Sequence, residues 1–354
     1  MLWEKYCRGQ KDKHPLLCVF WETTLRCNLK CAHCGSSCGP EVPKKEELST
    51  GEIKNVFKSI AEDYDPKRIM IAVTGGEPLL RRDVFDVMGY ASGLGFSWGL
   101  VTNGTLIDER IVHEMKKAGM LTVSVSIDGT EDIHDEIRGK TGAFQEATQG
   151  TGMLTDSKHF KQIEIITCVS KKNIDKLDEI YELCKDLGVD GWRIFTVVRR
   201  GRAKEDDDFS LTPKEQVFVL DYIKEKRKEK ELKVNFCDEG FLGLDYEGEV
   251  RDQFFYCWAG ITVGSILYNG DVAACPIIPR EHTKQGNIRE RRFSEIWENE
   301  YQMFREREWK KNSYCGDCSL WDFCEGESMH LWDFDKGEPM CCNYNLINKN
   351  KENS

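Results

Sequence analysis

From about residue 17 to residue 198, short apolar runs alternate with longer amphipathic stretches. Runs rich in β-branched and aromatic residues recur at 17–23, 68–74, 97–102, 121–127, 162–169 and 191–198, and each reads as a strand. The segments between them carry helical periodicity and are long enough for crossover helices. This is the pattern of βα units feeding a parallel sheet. Ser49-Thr50-Gly51-Glu52 marks one helix start, because Ser49 and Glu52 can cap each other's backbone. Six strands joined by five crossovers predict an α/β fold, a partial (β/α)6 TIM-like barrel. An open doubly wound sheet has the same periodicity and stays as the alternative.

After residue 198 the alternation stops. Arg199-Arg200-Gly201-Arg202 and the acidic run 205–208 lead to a helix from Thr212-Pro213-Lys214-Glu215 to about Lys230, with a threonine cap and proline in the first turn. From about residue 251 cysteine, glycine and aromatic residues replace long periodic segments. The expected organisation is a barrel over 1–200, a connector over 201–250 and a small cysteine-rich domain over 251–354. The polar tail 348–354 is expected to fray.

The 354 residues are 40% hydrophobic and 31% charged with only 9 prolines, which excludes a disordered or low-complexity chain. The net charge of -11 opposes nucleic acid as the main partner. No apolar run reaches the roughly 18 residues a membrane span needs, and the start is charged, unlike a secretory signal. These features predict a cytoplasmic protein. Sixteen cysteines in a reducing compartment read first as metal or catalytic ligands.

Cys27-Asn28-Leu29-Lys30-Cys31-Ala32-His33-Cys34 follows the first strand, at the end of the sheet where parallel α/β folds place active sites. Three thiolates hold an iron–sulfur cluster by three irons and leave the fourth open. A structural zinc knuckle would instead need a fourth ligand, His33 or Cys38. Further motifs close later strands: Thr74-Gly75-Gly76-Glu77-Pro78, Thr102-Asn103-Gly104 and Ser126-Ile127-Asp128-Gly129. Together with Cys-x3-Cys-x2-Cys they resemble the radical S-adenosylmethionine (SAM) enzymes over roughly residues 17–200. The resemblance implies a SAM-binding [4Fe–4S] cluster on Cys27, Cys31 and Cys34. It also implies SAM contacts from Gly75, Gly76, Glu77, Pro78, Asn103 and Ser126, and from Arg138 to the SAM carboxylate.

The later cysteines, Cys257, then Gly270 and Cys275, then Cys315-x2-Cys318-x5-Cys324 and Cys341-Cys342, resemble the SPASM domain. That family binds auxiliary iron–sulfur clusters. The resemblance implies a distal cluster on Cys315, Cys318, Cys324 and Cys341, with Cys342 able to replace Cys341. A proximal cluster would have only Cys257 and Cys275, because Ser328 stands where the pattern expects another cysteine. It is then absent, completed by oxygen or nitrogen ligands, or merged into a single cluster. A zinc ribbon on Cys315, Cys318, Cys324 and Cys341 is the alternative. Cys7, Cys18, Cys168, Cys184 and Cys237 sit singly and read as small hydrophobes, and Cys38 as structural.

The resemblance implies that a reduced cluster cleaves SAM to methionine and a 5′-deoxyadenosyl radical, which takes hydrogen from a substrate. A flavodoxin or ferredoxin would supply the electron. Enzymes with SPASM domains mostly modify peptides or proteins, so a ribosomal-peptide maturase is the expected class. Pro276 after Cys275 departs from the sulfatase-maturing subgroup. Only 26 residues precede Cys27, which predicts no fused leader-binding domain and a separate docking route for a peptide. The alternatives are an enzyme acting on a small molecule or cofactor precursor, and a non-catalytic iron–sulfur or zinc protein.

Overall fold

The computed structural model describes residues 2–352 apart from 45, 205 and 238; the first residue of the acidic run, Glu205, thus lies outside the described residues. The six expected strands are present as β1 (Cys18–Glu22), β2 (Met70–Thr74), β3 (Ser97–Thr102), β4 (Thr122–Ser126), β5 (Gln162–Val169) and β6 (Gly191–Thr196). β2 begins two residues later than its apolar run because Asp65 caps a 3-10 turn over Pro66–Arg68. A seventh parallel strand, β7 (Lys233–Phe236), extends the sheet beyond β6. From the far end of the chain, β8 (Val263–Ile266) adds in parallel to the other side of β1, followed by the antiparallel β9 (Asp271–Ala273) and β10 (Gly286–Asn287). At two to four residues these four additions are too short for periodicity to register.

The sheet order is β10-β9-β8-β1-β2-β3-β4-β5-β6-β7. From β1 to β7 every crossover lands on the adjacent strand and the order never reverses. A doubly wound sheet requires a reversal, so the structure settles that alternative in favour of barrel winding. Among the described residues β10 and β7 do not pair with each other, and the barrel is partial.

Alternate strand residues make the core. Val19 and Trp21 of β1, Ile71 and Val73 of β2 and Val123 and Val125 of β4 are buried, facing the helices that flank the sheet. Helix α1 (Leu2–Lys13) precedes the barrel, and α2 (Thr50–Asp63) buries Ile53, Val56, Phe57 and Ile60, one stripe at helical spacing. The Ser49–Glu52 capping box forms as expected. The outer layer continues with α3 (Val84–Gly93), α4 (Glu109–Lys117), α5 (Glu131–Arg138), α6 (Ala143–Asp156) and α7 (Leu177–Asp186). The connector helix is α8 (Pro213–Glu229), with its own Thr212–Glu215 capping box.

Most of the polar tail continues a closing helix, Asn343–Glu352, and 353–354 lie outside the described residues. Ile347, 2% exposed, anchors the start of this helix to the core, just before the polar tail. Register aligns the strand ends: Glu22 lies opposite Thr74, Thr102 opposite Val125 and Val169 opposite Thr196. The loops that follow therefore crowd onto one end of the sheet.

Candidate active site

At that end, Cys27, Cys31 and Cys34 share the wall of a cavity of about 180 Å³ with Gly75, Asn103 and Arg138. Ser126 also lines it. The Cys27 sulfur accepts from Leu29 N at 3.4 Å and has Asn103 Nδ2 at 3.8 Å; Arg138 Nη1 lies 3.8 Å from the Cys31 sulfur. Burial pushes the Cys27 thiol up to about 11 and raises Cys31 as well. Cys34 moves the other way, lowered chiefly by its neighbour Cys38, with Arg202 adding to the effect. Cys38 thus lines the same cavity, directly behind one of the three thiols.

The Gly75–Pro78 loop has a different internal logic from the one its motif suggests. Its glycines are demanded by neighbouring backbone: Gly75 has φ +139°, and a Cβ there would lie 2.5 Å from Thr24 O. A Cβ on Gly76 would lie 2.1 Å from Arg26 O. Gly76 N donates to Thr24 O at 2.7 Å and Glu77 N to Arg26 O at 2.9 Å, so the loop zips onto the chain leaving β1. Glu77 is fully buried. Its carboxylate accepts from Thr102 Oγ1 at 2.9 Å, Asn103 N at 2.9 Å and Leu79 N at 3.1 Å. Glu77 and Pro78 do not line the cavity; Glu77 instead fixes Asn103, which does.

A second buried node holds Arg138. Asp128 Oδ2 lies 2.8 Å from Arg138 Nη2 and 3.3 Å from His33 Nε2, while Oδ1 accepts from Cys168 N at 2.9 Å. Burial acts to raise Asp128, but the guanidinium beside it holds its carboxyl below the usual range. Asp128 N donates to His134 Nδ1 at 3.1 Å, and burial lowers His134 to about 4, keeping it neutral. The Nε of Arg138 is buried and has no protein partner.

Two contributors escaped the sequence reading. Arg202 Nε donates to Cys31 O at 2.7 Å and its Nη2 to Cys38 O at 2.8 Å, clamping the cysteine loop. A Cβ on Gly201 would lie 2.3 Å from Cys34 O. The Arg-Arg-Gly-Arg run was the available signal, but composition alone assigned it to the connector.

The later cysteines form a second cavity of about 670 Å³. Cys315, Cys318, Cys324, Cys341 and Cys342 line it, together with Glu327. Burial pushes the Glu327 carboxyl up to about 7, although Phe241 N and Asn343 N donate to it at 2.9 and 3.0 Å. Cys257 and Cys275 do not line this cavity. Arg307 Nη2 donates to Cys257 O at 2.5 Å, and the buried Lys310 Nζ donates to Gly326 O at 2.8 Å and Glu327 O at 3.1 Å. Both cations are near enough to the Cys257 and Cys324 thiols to be influenced by their charge. Ser328 is buried.

The family profile of the Radical SAM superfamily matches residues 21–209, more than half the chain. This chain belongs to the radical SAM superfamily. A SPASM iron-sulfur cluster-binding domain matches residues 257–319. Among similar proteins, the AdoMet-dependent heme synthase of Methanosarcina barkeri is 33% identical over 327 residues, covering 87% of this chain and 90% of that protein. The Fe-coproporphyrin III synthase of the same organism is 30% identical over 81% of this chain and 74% of its own length. The mycofactocin maturase MftC of Mycobacterium tuberculosis is 30% identical over 88% and 78%. In fold the radical SAM chain resembles Streptococcus suis SuiB bound to S-adenosylmethionine, with TM-score 0.72 and 19% identity over 90% of this chain and 75% of that one. It also resembles anSMEcpe with bound AdoMet, with TM-score 0.73 and 20% identity over 95% of each chain.

Its radical SAM and SPASM domains imply SAM, a [4Fe–4S] cluster and auxiliary iron–sulfur clusters as cofactors. The residues fit them. Three thiols converge with no fourth protein ligand required, and the partnerless Arg138 Nε on the same wall suits a carboxylate. Among the described residues no helix is long and apolar enough to cross a membrane.

Proposed function

We propose that the protein reductively cleaves SAM and oxidises a small tetrapyrrole-type precursor. The observation that carries the SAM chemistry is the convergence of Cys27, Cys31, Cys34, Asn103 and Arg138 on one cavity at the strand ends. Cys27, Cys31 and Cys34 hold the cluster. The backbone at Gly75 and Gly76 receives the SAM amino group, and Arg138, oriented by Asp128, receives the carboxylate. Ser126 and Asn103 complete the wall, and Glu77 and Pro78 support the loop from behind. When bound, the cluster and SAM together supply a hydrogen-abstracting 5′-deoxyadenosyl radical. A low-potential flavodoxin or ferredoxin delivers the electron, in the reducing cytoplasmic setting that a chain with sixteen cysteines calls for.

The substrate class rests on the relatives named for heme and Fe-coproporphyrin III synthesis, which match most of the chain. A peptide substrate is the second reading, favoured by the 30% identity to mycofactocin maturase. The auxiliary cluster rests on Cys315, Cys318, Cys324 and one member of the Cys341-Cys342 pair. The proximal position offers only Cys257, close to Arg307 and Lys310, and Cys275, two thiols short of a four-cysteine cluster.

The test is anaerobic reconstitution with SAM and dithionite, with 5′-deoxyadenosine quantified by mass spectrometry. Iron coproporphyrin III is expected to raise its yield and to lose mass, and a Cys27, Cys31 and Cys34 to Ala variant is expected to give none. The same preparation is expected to carry about eight irons per chain, two four-iron clusters. No 5′-deoxyadenosine from the iron-loaded wild type would refute the SAM reading. Turnover driven by a precursor peptide and not by the tetrapyrrole would refute the substrate assignment.

A further inference from the structure

Five thiols line the auxiliary cavity, one more than a four-iron cluster uses. Cys341 and Cys342 are adjacent in sequence, so spacing cannot choose between them. Their hydrogen bonds can, because a ligating thiolate accepts hydrogen bonds and cannot donate one.

The Cys324 sulfur accepts from Glu327 N at 3.1 Å, the arrangement expected of a cluster thiolate. The Cys342 sulfur lies close enough to Cys315 and Cys324 for their charges to interact, whereas Cys341 has neither of them as a charge neighbour. Cys341 has the opposite polarity. Its sulfur faces Asn343 Oδ1 at 3.5 Å, a contact to an acceptor that requires the S–H form.

Asn343 cannot turn to relieve this. Its Oδ1 also accepts from Gln216 Nε2 at 2.8 Å, its Nδ2 donates to Glu239 O at 2.6 Å and its backbone N donates to Glu327 Oε1 at 3.0 Å. Flipping the amide would set a donor against Gln216 and an acceptor against the Glu239 carbonyl. A thiolate at Cys341 would meet the fixed carbonyl oxygen of Asn343 with like polarity in a buried place.

The geometry points to Cys342, and not Cys341, as the fourth thiolate of the auxiliary cluster beside Cys315, Cys318 and Cys324. Cys341 is a positioning residue: its S–H ties the cluster-bearing segment to Asn343, and through it to Gln216 of α8 and Glu239 after β7. This deepens the proposal that a cluster binds here, and rests on it.

The experiment uses the full chain with Cys27, Cys31 and Cys34 replaced by Ala, so that only auxiliary iron is counted. Cys341→Ser, Cys341→Ala and Cys342→Ala are added separately. Iron, acid-labile sulfide and the EPR spectrum of the reduced cluster are measured after anaerobic reconstitution. The parent and Cys341→Ser are expected to keep about four irons and the same spectrum, with Cys342→Ala falling to roughly half or less. Loss in Cys341→Ala with retention in Cys341→Ser agrees with a donor role. Loss of iron in Cys341→Ser, or full retention in Cys342→Ala, overturns the assignment. A parent that binds no iron overturns the cluster itself, a distinct result.

Discussion

Glu77 sits in the motif most closely tied to SAM, yet its side chain bonds only to protein, and this predicts an unusual outcome for its replacement. In Glu77→Gln the amide oxygen takes the position shared by Thr102 Oγ1 and Leu79 N, which leaves the NH2 against the Asn103 N–H. One hydrogen bond is lost and two donors are opposed in a buried place, at about 2 kcal/mol. Glu77→Ala strands all three donors and opens a void, at roughly twice that. For a chain of this size each kcal/mol lowers Tm by about 2 °C or slightly more. Expected drops are therefore about 4 °C and about 8 °C in the iron-free, SAM-free protein, followed by circular dichroism with a reductant present. A side chain that served only to touch SAM would leave this melting temperature alone and weaken SAM binding. A metal-free Glu77→Ala protein melting within about 1 °C of the parent would refute the supporting role.

Gly76→Ala is expected to be more severe than Glu77→Gln, because its Cβ would stand 2.1 Å from Arg26 O and backbone must move. A loss of about 3 kcal/mol or more follows, visible as reduced soluble yield and melting temperature; a variant as stable as the parent would contradict the close approach. His134 gives a pH prediction. Unfolded, it binds a proton near its ordinary value of about 6.5, but folded only near 4. The unfolded state thus holds more protons in between, and stability falls as pH drops from about 6.5 toward 4, by up to about 3 kcal/mol. His134→Asn, whose side-chain oxygen can still accept from Asp128 N, is expected to flatten the melting-temperature curve of the metal-free protein over that range. Parallel curves would exclude His134 as the source.

The parts of this molecule that were legible in its sequence are those encoded by neighbours along the chain. Short runs rich in β-branched and aromatic residues located β1 to β6, and the spacing of Cys27, Cys31 and Cys34 located the site, because both need only a few consecutive residues. What escaped depends on partners far away in sequence. Glu77 was expected to meet ligand; only the arrival of Thr102 and Asn103 shows that its oxygens are already engaged. Arg202 clamps carbonyls 171 and 164 residues earlier, a relation no local pattern carries. The Cys341-Cys342 ambiguity persists at any depth of sequence reading, since Asn343 is what separates their roles.

The pairing of β8 with β1 has a mechanical consequence. β1 runs into the loop bearing Cys27, while β8 follows directly on the segment bearing Cys257, and the two strands share a ladder from Cys18 opposite Val263 to Trp21 opposite Ile266. The spacing between the cysteine loop after β1 and the Cys257 segment, where the SPASM match begins, is therefore ruled by a rigid scale whose smallest face-preserving step is two residues, about 7 Å. The start of the C-terminal region is thus held in step with the barrel, because any slip would have to break the β1–β8 ladder.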